Sequence, residues 1–175
     1  RCAEVAFSEP AYSVGQGLIV ASGNPKQIKS YDDLVSGEVQ IAVMAGAVQA
    51  NNLKTLGVPE ARIQSYPDMT GSVAAVTSGR ADVFAISALA ARRLIGMEGM
   101  SSVALVEGFP DPVVNGKPAR GYDAFAMRKD DADLLEAFNK ALAEVMGEPD
   151  FVDVLTSYGL TKDDIPNKKT AELCQ

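Results

Sequence analysis

With 175 residues, 47% of them apolar and 22% charged, the chain is long enough for one substantial core or two small lobes. A net charge of −7 argues against nucleic acid, whose phosphates it would repel, and no apolar run is long enough to cross a bilayer. The absence of histidine removes His-based triads and His metal sites, and two cysteines alone cannot complete a tetrahedral zinc site.

In chain order, the opening Arg1-Cys2-Ala3 reads as a start inside a longer chain. Residues 5–8 are extended, and Pro10 keeps Glu9 out of the α region. Residues 17–21 predict a strand before a Gly23-Asn24-Pro25 turn, and Ser30 begins a helix over 31–35 with Asp32 and Asp33 in its first turn. A strand over 39–43 leads to a helix over 48–56, which stops at Gly57. A strand over 62–66 follows, then a helix capped by Asp68 or Thr70 and running to Ser78. Residues 82–86 read as a strand, 88–95 as a helix and 102–106 as another strand.

The Gly/Pro-rich stretch 108–118 reads as a loop or a passage between lobes. A strand over 121–128 precedes two helices, 131–146 and 149–158, the second with Pro149 in its first turn. Lys129-Asp130-Asp131 and Lys162-Asp163-Asp164 read as solvated charge runs. Alternating strands and helices imply an α/β fold with a mostly parallel sheet, whose ligands bind outside the carboxyl ends of the strands.

Two loops lie at such ends, after Met44 and after Ile86. In the first, the apolar run 41–44 meets Ala45-Gly46-Ala47 and then a helix start at Val48, which aims backbone N–H groups at one point. The chain has no G-x-G-x-x-G and no Lys-Ser/Thr pair here, so a small carboxylate suits the turn better than a nucleotide. A βα turn without a ligand is the alternative. Ser87 can hydrogen-bond a ligand, cap the helix after it, or do both. Asp123 is polar on an otherwise apolar strand, so it lines a cleft or satisfies hinge backbone. Tyr12 and Tyr122 fit core or hinge packing or a cleft wall, and Arg80, Arg92, Arg93 and Arg128 can each bind an anion, the first three fitting solvated surface better. Cys2 and Cys174, at opposite ends, read either as a disulfide of a secreted domain or as two inert thiols of a cytosolic protein.

These segments together resemble the extracytoplasmic solute-binding proteins that feed polar amino acids and related solutes to ABC importers. Phe7-Ser8-Glu9-Pro10-Ala11-Tyr12 resembles the family's crossing between lobes, and Ser30-Tyr31-Asp32-Asp33-Leu34 its S-x-x-D-L helix. The run 41–48 resembles its ligand-loop strand, Gly79-Arg80-Ala81-Asp82-Val83 its G-R-x-D element, and 122–130 its return crossing. Each motif alone is weak, but five in order and spacing are specific, and they span nearly the whole chain. Arg1-Cys2, Gly57-Val58-Pro59, Tyr66-Pro67-Asp68 and Glu172-Leu173-Cys174 are most similar to ectoine- and hydroxyectoine-binding members.

The resemblance implies a type II periplasmic binding fold, a parallel-sheet lobe with crossover helices, plus C-terminal helices that belong to the other lobe. It implies a crossing segment over 1–16, lobe 2 over 17–120, and a return crossing with the C-terminal part of lobe 1 over 121–175. The family's first half of lobe 1 would lie upstream of Arg1. Implied ligand contacts are Gly46, Ala47, Val48, Ser87 and Asp123, and the resemblance also implies a Cys2–Cys174 bridge in an oxidising compartment. No cofactor or metal is expected.

Two departures shape the ligand. Val48 stands where the family usually has Thr or Ser, which leaves only backbone N–H donors. Ser87 replaces the usual ammonium-binding Asp, which favours a solute with a delocalised cation over an ordinary α-amino acid. The expected function is a periplasmic, non-enzymatic receptor that closes on a small zwitterionic solute, ectoine-like or amino acid-like, and delivers it to a membrane permease. Alternatives are a cyclohexadienyl dehydratase-like enzyme, with Asp123 or Asp68 as its acid, and the sensory ectodomain of a receptor kinase.

Overall fold

The computed structural model describes residues 2–174. They fold as two compact units: one holds the chain up to Val14 and from Gly121 onward, the other is Gly15–Arg120. Two short strands open the chain, β1 (Ala6–Phe7) and β2 (Tyr12–Val14). The central unit then runs β3 (Gln16–Ala21), α1 (Tyr31–Ser36), β4 (Ile41–Met44), α2 (Val48–Thr55), β5 (Ile63–Tyr66), α3 (Met69–Thr77), β6 (Val83–Ser87), α4 (Ala88–Ile95) and β7 (Val103–Val106). A small hairpin, β8 (Val113–Val114) and β9 (Lys117–Pro118), ends it.

The sheet order is β5-β4-β6-β3-β7. Strand β4 runs parallel to both β5 and β6, whereas β3 runs antiparallel to β6 and β7. The sheet is therefore mixed: β5, β4, β6 and β7 share one direction and β3 alone opposes them. Strand periodicity sets which residues share a face but carries no information on strand direction.

That periodicity builds the core directly. Leu18 and Val20, Ile41 and Val43, and Val83 and Ala85 point to one face of the sheet, where Tyr31, Leu34 and Leu53 of α1 and α2 meet them. Ile19, Ala42, Phe84 and Ile86 point to the other, against Val73 and Val76 of α3 and Ala91 and Leu94 of α4. Both faces are covered, which explains why the strands read as continuous apolar runs. Each Leu, Ile or Phe so buried contributes about 1.5–3 kcal/mol.

Local chemistry sets the helix starts. Ser30 and Asp33 form a reciprocal capping box on α1, and the Asp68 carboxylate accepts from Gly71 N at 2.8 Å to start α3.

The other unit contains β10 (Gly121–Asp123), β11 (Ala126–Met127), α5 (Ala132–Met146), α6 (Phe151–Ser157) and α7 (Thr170–Leu173). The expected single strand over 121–128 is two strands, because β10 pairs with β2 while β11 pairs with β1. The Cys2–Cys174 disulfide joins the two ends of this unit. Asp164 corrects the solvated reading of its charge run: it is 1% exposed, and its carboxylate accepts from Thr161 N at 2.9 Å and Thr161 Oγ1 at 3.1 Å.

Candidate functional site: helix N-termini at one sheet edge

Strands β4 and β6 are adjacent and parallel, so their carboxyl ends open on the same edge of the central sheet. After β4, Ala45 N donates to Tyr66 O at 2.8 Å and Ala47 N to Met44 O at 3.1 Å, which folds the chain into a tight turn pinned to the end of β5. Gly46 sits in that turn at φ +74°, a left-handed conformation that side chains resist. No atom lies within 4 Å of where its Cβ would be, so backbone geometry, not lack of room, selects glycine there.

Helix α2 starts immediately after the turn, with Ala47 at its N-cap position. Alanine offers no acceptor, so no side chain caps this helix, and the positive end of its dipole is left for another partner. Val48, its first residue, is 56% exposed.

The neighbouring helix differs. Ser87 ends β6 and caps α4, its hydroxyl accepting from Ala90 N at 3.4 Å, while Ala88 N donates to Gly15 O at 2.9 Å. With β5 also parallel to β4, the starts of α2, α3 and α4 share one edge, and only that of α2 lacks a capping side chain. Gly46, Ala47, Val48 and Ser87 are brought to this edge, whereas Asp123 belongs to the other unit.

Within that unit Asp123 sits opposite Tyr12 in the β2–β10 ribbon. Partial burial raises its carboxyl above the ordinary value, and burial together with the Asp123 charge raises the Tyr12 phenol. Tyr122 donates from its hydroxyl to Asn167 Oδ1 at 2.7 Å, a contact internal to the unit.

Sequence reasoning missed a polar cluster just behind the ligand-loop edge. Gln16 and Gln49 are buried and bonded to each other, and Asp111 and Arg120 form a half-buried ion pair at 2.9 Å. Gln16 begins β3 opposite Ser87, and Gln49 lies in the first turn of α2. Their only signal was a glutamine on either side of apolar runs. Among the described residues no group of three or more His, Cys, Asp or Glu could hold a metal ion, and no helix is long and apolar enough to cross a membrane.

Comparison with known proteins bears on the whole chain. A probable amino-acid ABC transporter periplasmic-binding protein of Sinorhizobium fredii, y4tE, is 40% identical over 177 residues, which covers 99% of this chain and 58% of the relative. The crystal structure of EhuB in complex with hydroxyectoine superposes with a TM-score of 0.76 at 27% identity, over 100% of this chain and 66% of that one. An ancestral cationic amino acid solute-binding protein, AncCDT-1, does so with a TM-score of 0.69 at 27% identity, over 90% of this chain and 63% of that one. The chain thus spans less than two thirds of the length of these relatives. Residues 1–160 match the profile of one family, and with it the α/β fold and the ordered motifs are accounted for: the chain belongs to the bacterial extracellular solute-binding proteins, family 3.

Proposed function

We propose that the chain is part of the solute-binding component of an amino acid-type ABC importer and carries one jaw of its binding site. The observation that supports this best is the uncapped start of α2 beside the Gly46 turn, at the edge it shares with Ser87. In this reading Gly46 lets a carboxylate approach the N–H groups of Ala47 and Val48, a contact that does not depend on a side-chain hydroxyl. Ser87 adds a hydroxyl when its cap bond is shared. Asp123 is proposed as a carboxylate available to the solute's cation. The solute is a small zwitterion, ectoine-like or amino acid-like, and the partner that receives it is a membrane permease. The protein acts by binding rather than by turnover.

Membership in an extracellular family places the chain outside the cytoplasm, and the disulfide suits an oxidising compartment.

Calorimetric titration of the full-length protein with ectoine, hydroxyectoine, L-arginine and a panel of other amino acids tests the reading. Saturable binding of at least one is expected, weakened about ten-fold or more by Gly46→Val, which strains the turn and fills the approach. Binding of none would count decisively against it. The raised Asp123 carboxyl favours a second reading, a dehydratase-like enzyme with that group as its acid. Lack of turnover of prephenate or arogenate would remove it.

A further inference from the structure

The buried polar cluster behind the ligand loop joins pieces of chain that are far apart in sequence. Gln49 Nε2 donates to Gln16 Oε1 at 3.0 Å, and Gln16 Nε2 donates in turn to Ala119 O at 2.6 Å. The backbone of Gln16 donates to Asp111 Oδ1 at 2.7 Å, and Arg120 Nη1 bonds the other oxygen of that carboxylate at 2.9 Å. A Cβ at Gly15 would collide with the same carboxylate, so the backbone is drawn against it there. Ala88 N, the start of α4, completes the set through Gly15 O.

Gly15-Gln16 is where the chain enters the central unit, and Ala119-Arg120 is where it leaves. Two side chains, Gln16 and Asp111, therefore connect both passages to the start of α2, while the backbone bond from Ala88 N to Gly15 O joins the start of α4 to the entry. Gln16 is 9% exposed and Gln49 is 7% exposed, so water is a poor substitute for these bonds. Helix α2 has no capping side chain, and the Gln49–Gln16 bond is what holds its first turn to β3.

We infer that Gln16 and Gln49 are positioning residues for solute binding: their amide pair sets the place of the α2 start and ties it to the segments by which the chain enters and leaves this unit. This inference rests on the binding reading above. It separates the two glutamines from the residues that touch solute. Gln16 acts through Gln49, so the two must be coupled.

The test uses the full-length protein with hydroxyectoine and L-arginine as probes. Gln16→Met and Gln49→Met keep side-chain length and remove the amide, and the pair Gln16→Met/Gln49→Met removes both partners together. Thermal melting of each variant first establishes that it is folded. The expected result is that each single variant weakens affinity for the bound probe about ten-fold, and that the double variant weakens it no more than the worse single one. Should a single variant fail to fold, the double variant, in which neither amide is left unpaired, carries the affinity measurement. Unchanged affinity in folded variants overturns the inference, whatever happens to melting. So does a loss confined to Gln49→Met, which would mark Gln49 as a direct contact, and so does a double variant whose loss is the product of the two singles. If the unaltered protein binds neither probe nor any solute of the panel, the binding reading itself has failed, an outcome distinct from all of these.

Discussion

Tyr31 shows how much one atom can cost in a well-packed unit. Its side chain is 2% exposed, its ring lies 6.0 Å from that of Phe109, and its hydroxyl is the one buried side-chain polar atom without a partner among the described residues. Burying an unpaired hydroxyl costs about 1–3 kcal/mol, so Tyr31→Phe is expected to stabilise the protein by about 1 kcal/mol, read from the urea midpoint at pH 7. Burial, then the Asp111 charge, hold the phenol well above its ordinary value of 10.0. The folded state therefore keeps a proton that the unfolded chain releases, and stability falls as pH rises through 10 and beyond. Tyr31→Phe should flatten that alkaline loss; an unchanged slope would refute the assignment. Asp123 follows the same sign at the acid end. Its carboxyl is raised above 3.8, so stability declines as pH climbs from that value toward the higher folded one. Asp123→Asn should remove this decline, by a few tenths of a kcal/mol because the site is partly exposed, and should lower the Tyr12 titration midpoint followed by ultraviolet absorbance.

Backbones come close where β3 passes under the start of α4. A Cβ added at Gly17 would lie 2.9 Å from Ala91 Cβ, 3.0 Å from Ala88 Cα and 3.1 Å from Ser87 O. Two of these are backbone atoms that cannot swing away, so Gly17→Ala must push the α4 start off the sheet. A loss of about 1–3 kcal/mol by urea denaturation is expected, with weaker solute binding because Ser87 moves too; full stability in the variant would show that the helix can shift freely. None of this closeness is visible in the sequence, where Gly17 only opens an apolar run. What was legible came from local rules: short continuous apolar runs marked β3, β4 and β6, and Ser30, Asp68 and Ser87 marked helix starts through their capping hydroxyls or carboxylates. The β8–β9 hairpin carried its own signal, Asn115-Gly116 between β-branched and extended residues with both turn residues at positive φ, but surrounding prolines and glycines hid it in a loop reading. Strand direction and the Gln16–Gln49 pair depend on partners distant in sequence, and period and propensity say nothing of those; the Asp164 carboxylate instead bonds Thr161 three residues before it, a local T-x-x-D capping signal that the charge-run reading passed over. The Gly46 turn lies between these cases. Its glycine and small neighbours were readable, while the shared edge with Ser87 required the order β4-β6.

For the molecule as a whole, the two units differ in how completely they cover their apolar surface. In the central unit, β3, β4 and β6 are buried on both faces, and exposed apolar side chains such as Met97 and Val113 are scattered. The other unit contains a 15-residue helix, α5, with no buried residue at all. Leu134 is 57% exposed and Val145 is 55% exposed, and between them Phe138 and Ala141 continue the same stripe at helical spacing. Phe125, 54% exposed, lies with its ring 4.9 Å from that of Phe138 and widens the apolar surface. Each large side chain left in water forgoes about 1.5–3 kcal/mol of burial, and a contiguous patch of this kind seeks a partner. The 175-residue chain by itself is therefore expected to self-associate through this face, with an apparent mass in sedimentation that rises above 18.4 kDa with concentration. Leu134→Glu combined with Val145→Lys should hold it at the monomer mass. The acid falls in the first turn of α5 and the base in its last, where each complements the helix dipole, so the remedy should not lower the melting midpoint. A concentration-independent monomer in the unaltered chain would show that the stripe is tolerated in water, and association that persists in the double variant would place the contact elsewhere.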